Sequence, residues 1–148
     1  MRYRLLFGIV ALLAMSLLVS ACSVIKEYQQ KDDFSTKSND FTLRMQWGKF
    51  VGASLHFQED LREPFLERFE DRDDFKVTQF SLSRMTTKFD GELERKIALY
   101  ELEYYLLTDM KLHKEKFKLV WELAAATKEK SAYWRIVTPF PELEIEKK

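Results

Sequence analysis

The sequence predicts an α+β fold in which two N-terminal helices pack on one face of a curved four-stranded antiparallel meander. Apolar residues recur at three- and four-residue steps between residues 40 and 70, as in amphipathic helices. After residue 74 the pattern changes to alternation, which is typical of half-buried strands. The alternating runs cover residues 75–88, 92–108, 111–126 and 131–138. When neighbouring runs are paired as hairpins, apolar side chains share one face, which indicates a single sheet with a buried side.

The first helix is predicted to start at Asn39 or Asp40, because either side chain can cap a helix N-terminus. Its apolar stripe consists of Leu43, Trp47, Phe50, Val51, Ser54, Phe57 and Leu61. Small residues that permit close approach of a neighbouring element are Gly48, Gly52 and Ala53. The second helix is predicted to open at Pro64, since proline suits a first helical turn. Its apolar face consists of Phe65, Leu66 and Phe69.

The third predicted strand follows the second through a two-residue turn at residues 109–110. This register opposes apolar residues on one face and glutamates to lysines on the other. The predicted pairs are Ala98 with Trp121, Tyr100 with Leu119, Leu102 with Phe117, Glu101 with Lys118, and Glu103 with Lys116. In the last strand Trp134, Ile136 and Thr138 share the phase that faces strand three.

The first two strands are predicted to join through a three-residue loop, Phe89-Asp90-Gly91, with glycine in the left-handed position. This loop opposes Ala98 to Leu82 and Tyr100 to Phe80. Phe75 and Val77 then lie on the wrong phase, and a β-bulge between Val77 and Phe80 would correct it.

The start of the chain predicts export from the cytosol. An uncharged apolar stretch, residues 5–21, follows Arg2 and Arg4, and small residues precede Cys22. A basic start, an apolar middle and small residues before the cleavage point are the parts of a secretory signal peptide. The run Val19-Ser20-Ala21-Cys22 resembles the lipobox of bacterial lipoproteins, and Cys22 is the sole cysteine of the chain.

The lipobox resemblance implies that residues 1–21 are removed and that Cys22 is the lipid-attachment site. Its sulfur would carry a diacylglyceryl group, and the new amino terminus would carry a fatty acid such as palmitate; several acyl chains make membrane attachment lasting. Ser23, in place of aspartate, favours the periplasmic side of the outer membrane. The alternatives are a retained membrane anchor, since residues 5–21 approach the roughly 20 residues that span a bilayer, and a soluble secreted protein.

The rest of the chain predicts a tether and one domain. Residues 22–39 are polar and are expected to form a flexible tether, because they cannot bury enough apolar surface to offset ordering. Residues 40–148 are expected to form a single α+β domain. The 24 basic and 24 acidic residues of the chain balance, so no basic excess points to nucleic acid. With Cys22 lipidated, the domain has no thiol for a disulfide, a metal or nucleophilic catalysis.

The order of a long helix, a short helix and a long-stranded meander ending in Trp134-Arg135-Ile136-Val137 resembles the nuclear transport factor two-like superfamily, which has a cone-shaped, cystatin-like fold. The resemblance covers residues 40–141. It implies a cone with a mouth between helices and sheet. Candidates to line that mouth are Trp47, Tyr100, Tyr104, Trp121 and Trp134. Aromatic stripes at this spacing are more often core packing, which is the interpretation we favour.

No pattern of catalytic residues stands out. The two histidines, His56 and His113, belong to no ligand-spaced cluster. The sequence therefore predicts no catalytic residue, no cofactor and no metal. Near the second helix lies an acidic patch: Asp60, Glu63, Glu67, Glu70, Asp71, Asp73 and Asp74. Strand three carries a basic ladder: Lys111, Lys114, Lys116 and Lys118. Such charges are usually solvated surface, and otherwise they mark protein docking.

The sequence is compatible with three functions. The first is a membrane-anchored accessory or protein-interaction module of the cell envelope. The second is a domain that binds a small apolar ligand, whose identity the sequence does not give, inside the cone. The third is an isomerase- or dehydratase-like enzyme, which would need a polar residue in the cavity. A fold of this kind selects no activity by itself.

Overall fold

The alternating segment forms the sheet that its pattern predicts. The computed structural model describes residues 33–70, 72–91, 93–125 and 132–143. Helix α1 covers residues 33–46, and the other elements are α2 (Phe50–Ser54), α3 (Glu59–Glu67), β1 (Phe75–Asp90), β2 (Leu93–Leu106), β3 (His113–Ala124) and β4 (Tyr133–Ile136). Within these ranges the strands form one antiparallel sheet in the order β1-β2-β3-β4. The predicted α+β fold, with helices before an antiparallel meander, is confirmed.

The N-terminal predictions have different outcomes. Cys22, the signal peptide of residues 1–21 and the tether as far as residue 32 lie outside the described residues. Residues 33–39 belong to α1, so the predicted helix start at Asn39 or Asp40 is wrong. By internal contacts, α1 from Thr36 onward belongs to the unit Thr36–Lys148 that contains the sheet.

The single long helix predicted after residue 40 is two helices in the structure. Gly48 has a φ of 64°, a left-handed conformation that glycine adopts without a steric penalty and that commonly ends a helix. The break also changes which face is buried. Phe41 and Met45 are fully buried, whereas the stripe residues Leu43, Trp47 and Val51 are exposed.

α3 begins before the residue predicted to open it. Glu59 is its first residue and Pro64 lies inside it, so the predicted start is wrong. The backbone N–H of Gln58 donates to the carbonyl of Ile136 (2.9 Å), and this contact with β4 fixes where the helix starts. The predicted apolar face is present, with Phe65 and Phe69 buried.

The β1–β2 hairpin has the predicted bulge and a shorter turn. The pairing shifts between Val77 and Gln79, and this shift brings Phe75 and Phe80 to the same buried face. Asp90 pairs directly with Leu93, which replaces the predicted three-residue loop. A second shift lies between Leu82 and Arg84. The predicted partners of Ala98 and Tyr100 are therefore wrong: the observed pairs are Ala98 with Met85 and Tyr100 with Leu82.

The β2–β3 pairing keeps the predicted faces but moves by two residues. Tyr100 pairs with Phe117, and Glu101 pairs with Lys116. A displacement of two leaves every side chain on its predicted face, so one face is still apolar and the other still pairs glutamates with lysines. In the last hairpin Trp121 pairs with Ile136, in the predicted phase.

The chain around His56 extends the sheet beyond β4. Phe57 forms a parallel bridge with Ile136, and the N–H of Ile136 donates to the carbonyl of His56 (2.7 Å). The edge of β4 is thereby covered. At the centre of the core, Phe41 of α1 makes edge-to-face contacts with five rings, those of His56, Phe57, Phe80, Tyr100 and Trp121.

Candidate functional site

Four of the five aromatics predicted to line a cone mouth are buried in the core. Tyr100, Tyr104 and Trp121 have no exposed surface and Trp134 has 2%. The indole Nε1–H of Trp121 donates to the hydroxyl of Tyr100 (3.2 Å), and the ring of Phe41 packs against both. Burial raises the pKa of Tyr100 well above its usual range, so this hydroxyl stays protonated. The burial and contacts of Tyr100 and Trp121 agree with the interpretation of these aromatics as core packing.

Tyr104 lies at another point of the same face. Its ring stacks on Phe75 (4.8 Å between centroids) and on His113 (5.0 Å). Its hydroxyl donates to Glu115 Oε1 (2.7 Å). The structure therefore brings Tyr100 and Trp121 together and holds Tyr104 in a separate aromatic stack.

A buried histidine that the sequence gave no role lies between α1 and the sheet. His56 Nε2 is 2.8 Å from Asp40 Oδ2, and Arg44 Nε donates to the same oxygen (2.7 Å). Burial lowers the pKa of His56, while Asp40 opposes that shift. The hydrogen bond from Arg44 is the main cause that lowers the pKa of Asp40. We therefore infer that His56 is neutral and that its Nε2–H donates to the Asp40 carboxylate. This hydrogen bond ties α1 to the segment that covers β4.

An apolar opening lies between α2 and α3. This first cleft has a volume of about 460 Å³ and is lined by Gly48, Phe50, Val51, Glu63, Leu66, Glu67, Phe69 and Glu70. Its floor is the stack of Phe50 on Phe69, with ring centroids 3.9 Å apart and planes 8° apart. Val51 is 72% exposed at its edge. The volume is within the usual range of roughly 300–1,000 Å³ for ligand sites.

A second cleft borders the same stack. It has a volume of about 440 Å³ and shares Gly48, Phe50 and Phe69 with the first cleft. Trp47 lines it and is 73% exposed. Trp47 is thus the one predicted pocket residue that lines either cleft, on the helical surface and outside the core. Exposed tryptophans are enriched among residues that dominate binding energy at protein interfaces.

Sequence reasoning missed these clefts because it placed Trp47 and Val51 on the buried face of an unbroken helix. The signal that could have corrected it is Gly48, since glycine commonly ends helices. A third opening, about 660 Å³, is lined by polar side chains around Arg62, Tyr133 and Arg135. The second cleft also has many polar lining residues, among them Gln46, Arg72, Asp73 and Lys76. The first cleft is therefore the one of the three that best suits an apolar partner.

Metal-binding clusters and membrane-spanning helices are absent from the part of the chain that the structure describes. The described residues contain no group of three or more His, Cys, Asp or Glu side chains arranged to hold a metal ion. Among these residues there is also no helix that is long and apolar enough to cross a bilayer. The surface around the Phe50–Phe69 stack, which we call the two-cleft surface, is the candidate site because Trp47 and Val51 are exposed beside its clefts.

Comparison with known proteins assigns no function to the two-cleft surface. No family model matches the sequence. No curated protein shows significant similarity to it. The lipoprotein and cone-fold resemblances stay predictions.

Proposed function

We propose that this chain is a bacterial lipoprotein, anchored through lipid on Cys22, whose α+β domain is an accessory protein-interaction module of the cell envelope. The lipobox-like run before Cys22 supports the anchor. The localisation proposed is the periplasmic side of the outer membrane. A membrane anchor would hold the domain at a high local concentration next to other envelope proteins, which lets even a weak interface act.

The observation that carries the interaction role is the exposure of Trp47 and Val51 beside the clefts of the two-cleft surface. Large apolar side chains that stay exposed together commonly mark an interaction site. Tyr100, by contrast, is buried: its hydroxyl accepts from the Trp121 indole and its ring packs against Phe41, which supports packing in preference to catalysis.

Two experiments test the proposal. Replacing Cys22 by serine should abolish labelling of the protein by radioactive palmitate in cells. A photo-crosslinking amino acid at Val51 should capture a defined envelope protein, whereas the same amino acid at Thr86, exposed on distal β1, should not. Continued labelling of the serine variant would refute the anchor, and equal crosslinking from both positions would refute the interaction surface.

A second candidate function is binding of a small apolar ligand. The volume of the first cleft and its floor of Phe50, Leu66 and Phe69 favour it. Native mass spectrometry of protein purified from envelopes distinguishes the two, because a bound lipid or other small molecule would add a discrete mass, which Val51→Asp at the exposed edge of the first cleft should remove.

A further inference from the structure

We infer that the occupant of the first cleft is a basic amphipathic helix of a partner protein, which lies along α3 with its apolar stripe in this cleft. The inference rests on the proposed interaction role and adds the chemistry of the partner.

The rim of the first cleft is acidic. Glu63, Glu67 and Glu70 all line it and are exposed. Glu63 and Glu67 lie one turn apart on α3. Glu70 follows in the turn after the helix, where its N–H donates to the carbonyl of Leu66 (2.9 Å), so the helical spacing continues to it. Two arginines next to these glutamates turn elsewhere: Arg62 Nε donates to the carbonyl of Phe57 (3.0 Å), and an Arg68 guanidinium N–H donates to that of Pro141 (2.9 Å). Arg72 lines the second cleft and not the first. Charge on this helix is thus segregated, with carboxylates at the cleft.

The floor of the first cleft is apolar. The rings of Phe50 and Phe69 and the side chain of Leu66 provide it, and Val51 stands exposed at its edge. A partner that covers this floor must also remove water from the glutamates beside it. Desolvating a carboxylate without a counter-charge is costly, so an acidic or neutral partner is disfavoured and lysine or arginine next to an apolar stripe is favoured.

The spacing of the rim favours a helix as the partner. At ~1.5 Å per helical residue, Glu63 and Glu67 are about 6 Å apart along α3. The turn that continues to Glu70 adds about 4.5 Å. Lysines at positions i, i+4 and i+7 of a second helix repeat that spacing. Same-face residues of a strand are instead spaced by roughly 6.6 Å and fall out of step. Helices that lay an apolar face into a groove use apolar anchors that recur at the same three- and four-residue steps.

A defined peptide tests the inference. The full-length lipidated protein would be reconstituted in phosphatidylcholine nanodiscs, with empty nanodiscs subtracted. The probe is a fluorescent synthetic helix of about 16 residues with leucines on one face and lysines beside them. Controls are the same peptide with glutamates in place of lysines, and a scrambled peptide of equal composition. Fluorescence anisotropy should show micromolar binding of the first peptide alone, weakening as salt screens the charges.

Variants locate that binding. Glu67→Lys should weaken it about tenfold and Glu67→Gln about threefold, while the matched reversal Glu142→Lys, exposed and outside all three clefts, should change it less than about twofold. Equal binding of the acidic or scrambled peptide, or no effect of Glu67→Lys, would overturn the inference. In cells, a Val51 crosslink to a neutral or acidic segment would overturn the basic partner alone, whereas loss of site-specific crosslinking would overturn the interaction role as well.

Discussion

The ring of Phe50 lies parallel to the ring of Phe69, with 3.9 Å between their centroids. Phe69 also contacts Phe65, Phe75 and Phe140. The stack is therefore continuous with the core on one side and forms the floor of both clefts on the other. Stability and recognition depend on the same pair of side chains.

Replacing Phe69 by alanine tests the structural part of this role. Phe69 is 8% exposed, and loss of a buried phenylalanine costs about 3–5 kcal/mol in transfer and cavity terms. We expect the free energy of unfolding, measured in urea, to fall by about that amount. Phe89, which is 73% exposed, provides the control, because alanine there should change stability by less than about 0.5 kcal/mol. Equal effects at both positions would contradict the packing described.

Gly48 sets the geometry of the two-cleft surface through its backbone. At a φ of 64° an L-residue is strained by roughly 1–2 kcal/mol, so Gly48→Ala should destabilise the protein by that amount in urea unfolding. Asparagine tolerates this conformation better, and Gly48→Asn should lose less. A contrary result, with alanine tolerated as well as asparagine, would mean that the left-handed turn is not retained in solution.

The faces of the strands could be predicted from the sequence and their register could not. Alternation alone decides that Tyr100 and Phe117 face the core, because a strand has a side-chain period of two. Register depends on turn length and bulges as well. The observed Glu101–Lys116 pair differs from the predicted Glu101–Lys118 pair by two residues, a difference to which the alternation of apolar and charged residues is nearly insensitive.

In the helical region the sequence predicted that helices form, but it did not predict which of their faces is buried. Periodicity located helices between residues 40 and 70, but the phase of the apolar stripe depended on an unbroken helix. Once Gly48 ends α1, Trp47 is exposed and Phe41 becomes the centre of the core. Likewise, the start of α3 is set by the contact of Gln58 with Ile136, a pairing between distant parts of the chain that local pattern does not contain. The two-cleft surface depends on both features, which is why it was not predicted.

His56 should make stability depend on pH. Burial lowers its pKa in the folded state from the ordinary 6.5, so below about pH 6.5 the unfolded chain holds more protons than the folded one. Stability is then fully present above pH 6.5 and is lost as the pH falls towards the lower folded-state pKa. The lowered pKa of Asp40 has the same sign below its ordinary 3.8.

Urea unfolding at pH 7.5 and 5.5 measures this dependence. The wild-type protein should be less stable at pH 5.5, and His56→Gln, which retains an N–H donor, should show a smaller loss between the two pH values. If the variant and the wild type lose equal stability, other groups carry the dependence. His56→Gln should also be somewhat less stable at pH 7.5, since its amide replaces the ring that packs against Phe41 and Trp121.

Trp47 should be the tryptophan whose fluorescence a quencher in solution reaches. The chain has three tryptophans; Trp121 and Trp134 are buried, and Trp47 is 73% exposed. Acrylamide should therefore quench mainly Trp47, and Trp47→Phe should remove most of the quenchable emission without a measurable change in unfolding free energy. Trp134→Phe is the matched control and should leave that quenching unchanged. Unaltered quenching in Trp47→Phe would show that another indole is exposed.

Gln46 should protect the bulged edge of β1. Its Nε2 donates to the carbonyl of Thr78 (3.0 Å), and the N–H of Phe80 donates to its Oε1 (2.7 Å). Gln46→Leu leaves both backbone groups without this partner, which should cost about 1–3 kcal/mol where they are shielded from water. Amide hydrogen exchange at Phe80 should accelerate in Gln46→Leu. Gln46→Glu retains the acceptor for the Phe80 N–H, so exchange there should stay slower than in the leucine variant; equal rates in the two variants would show that the amide is protected by something other than this side chain.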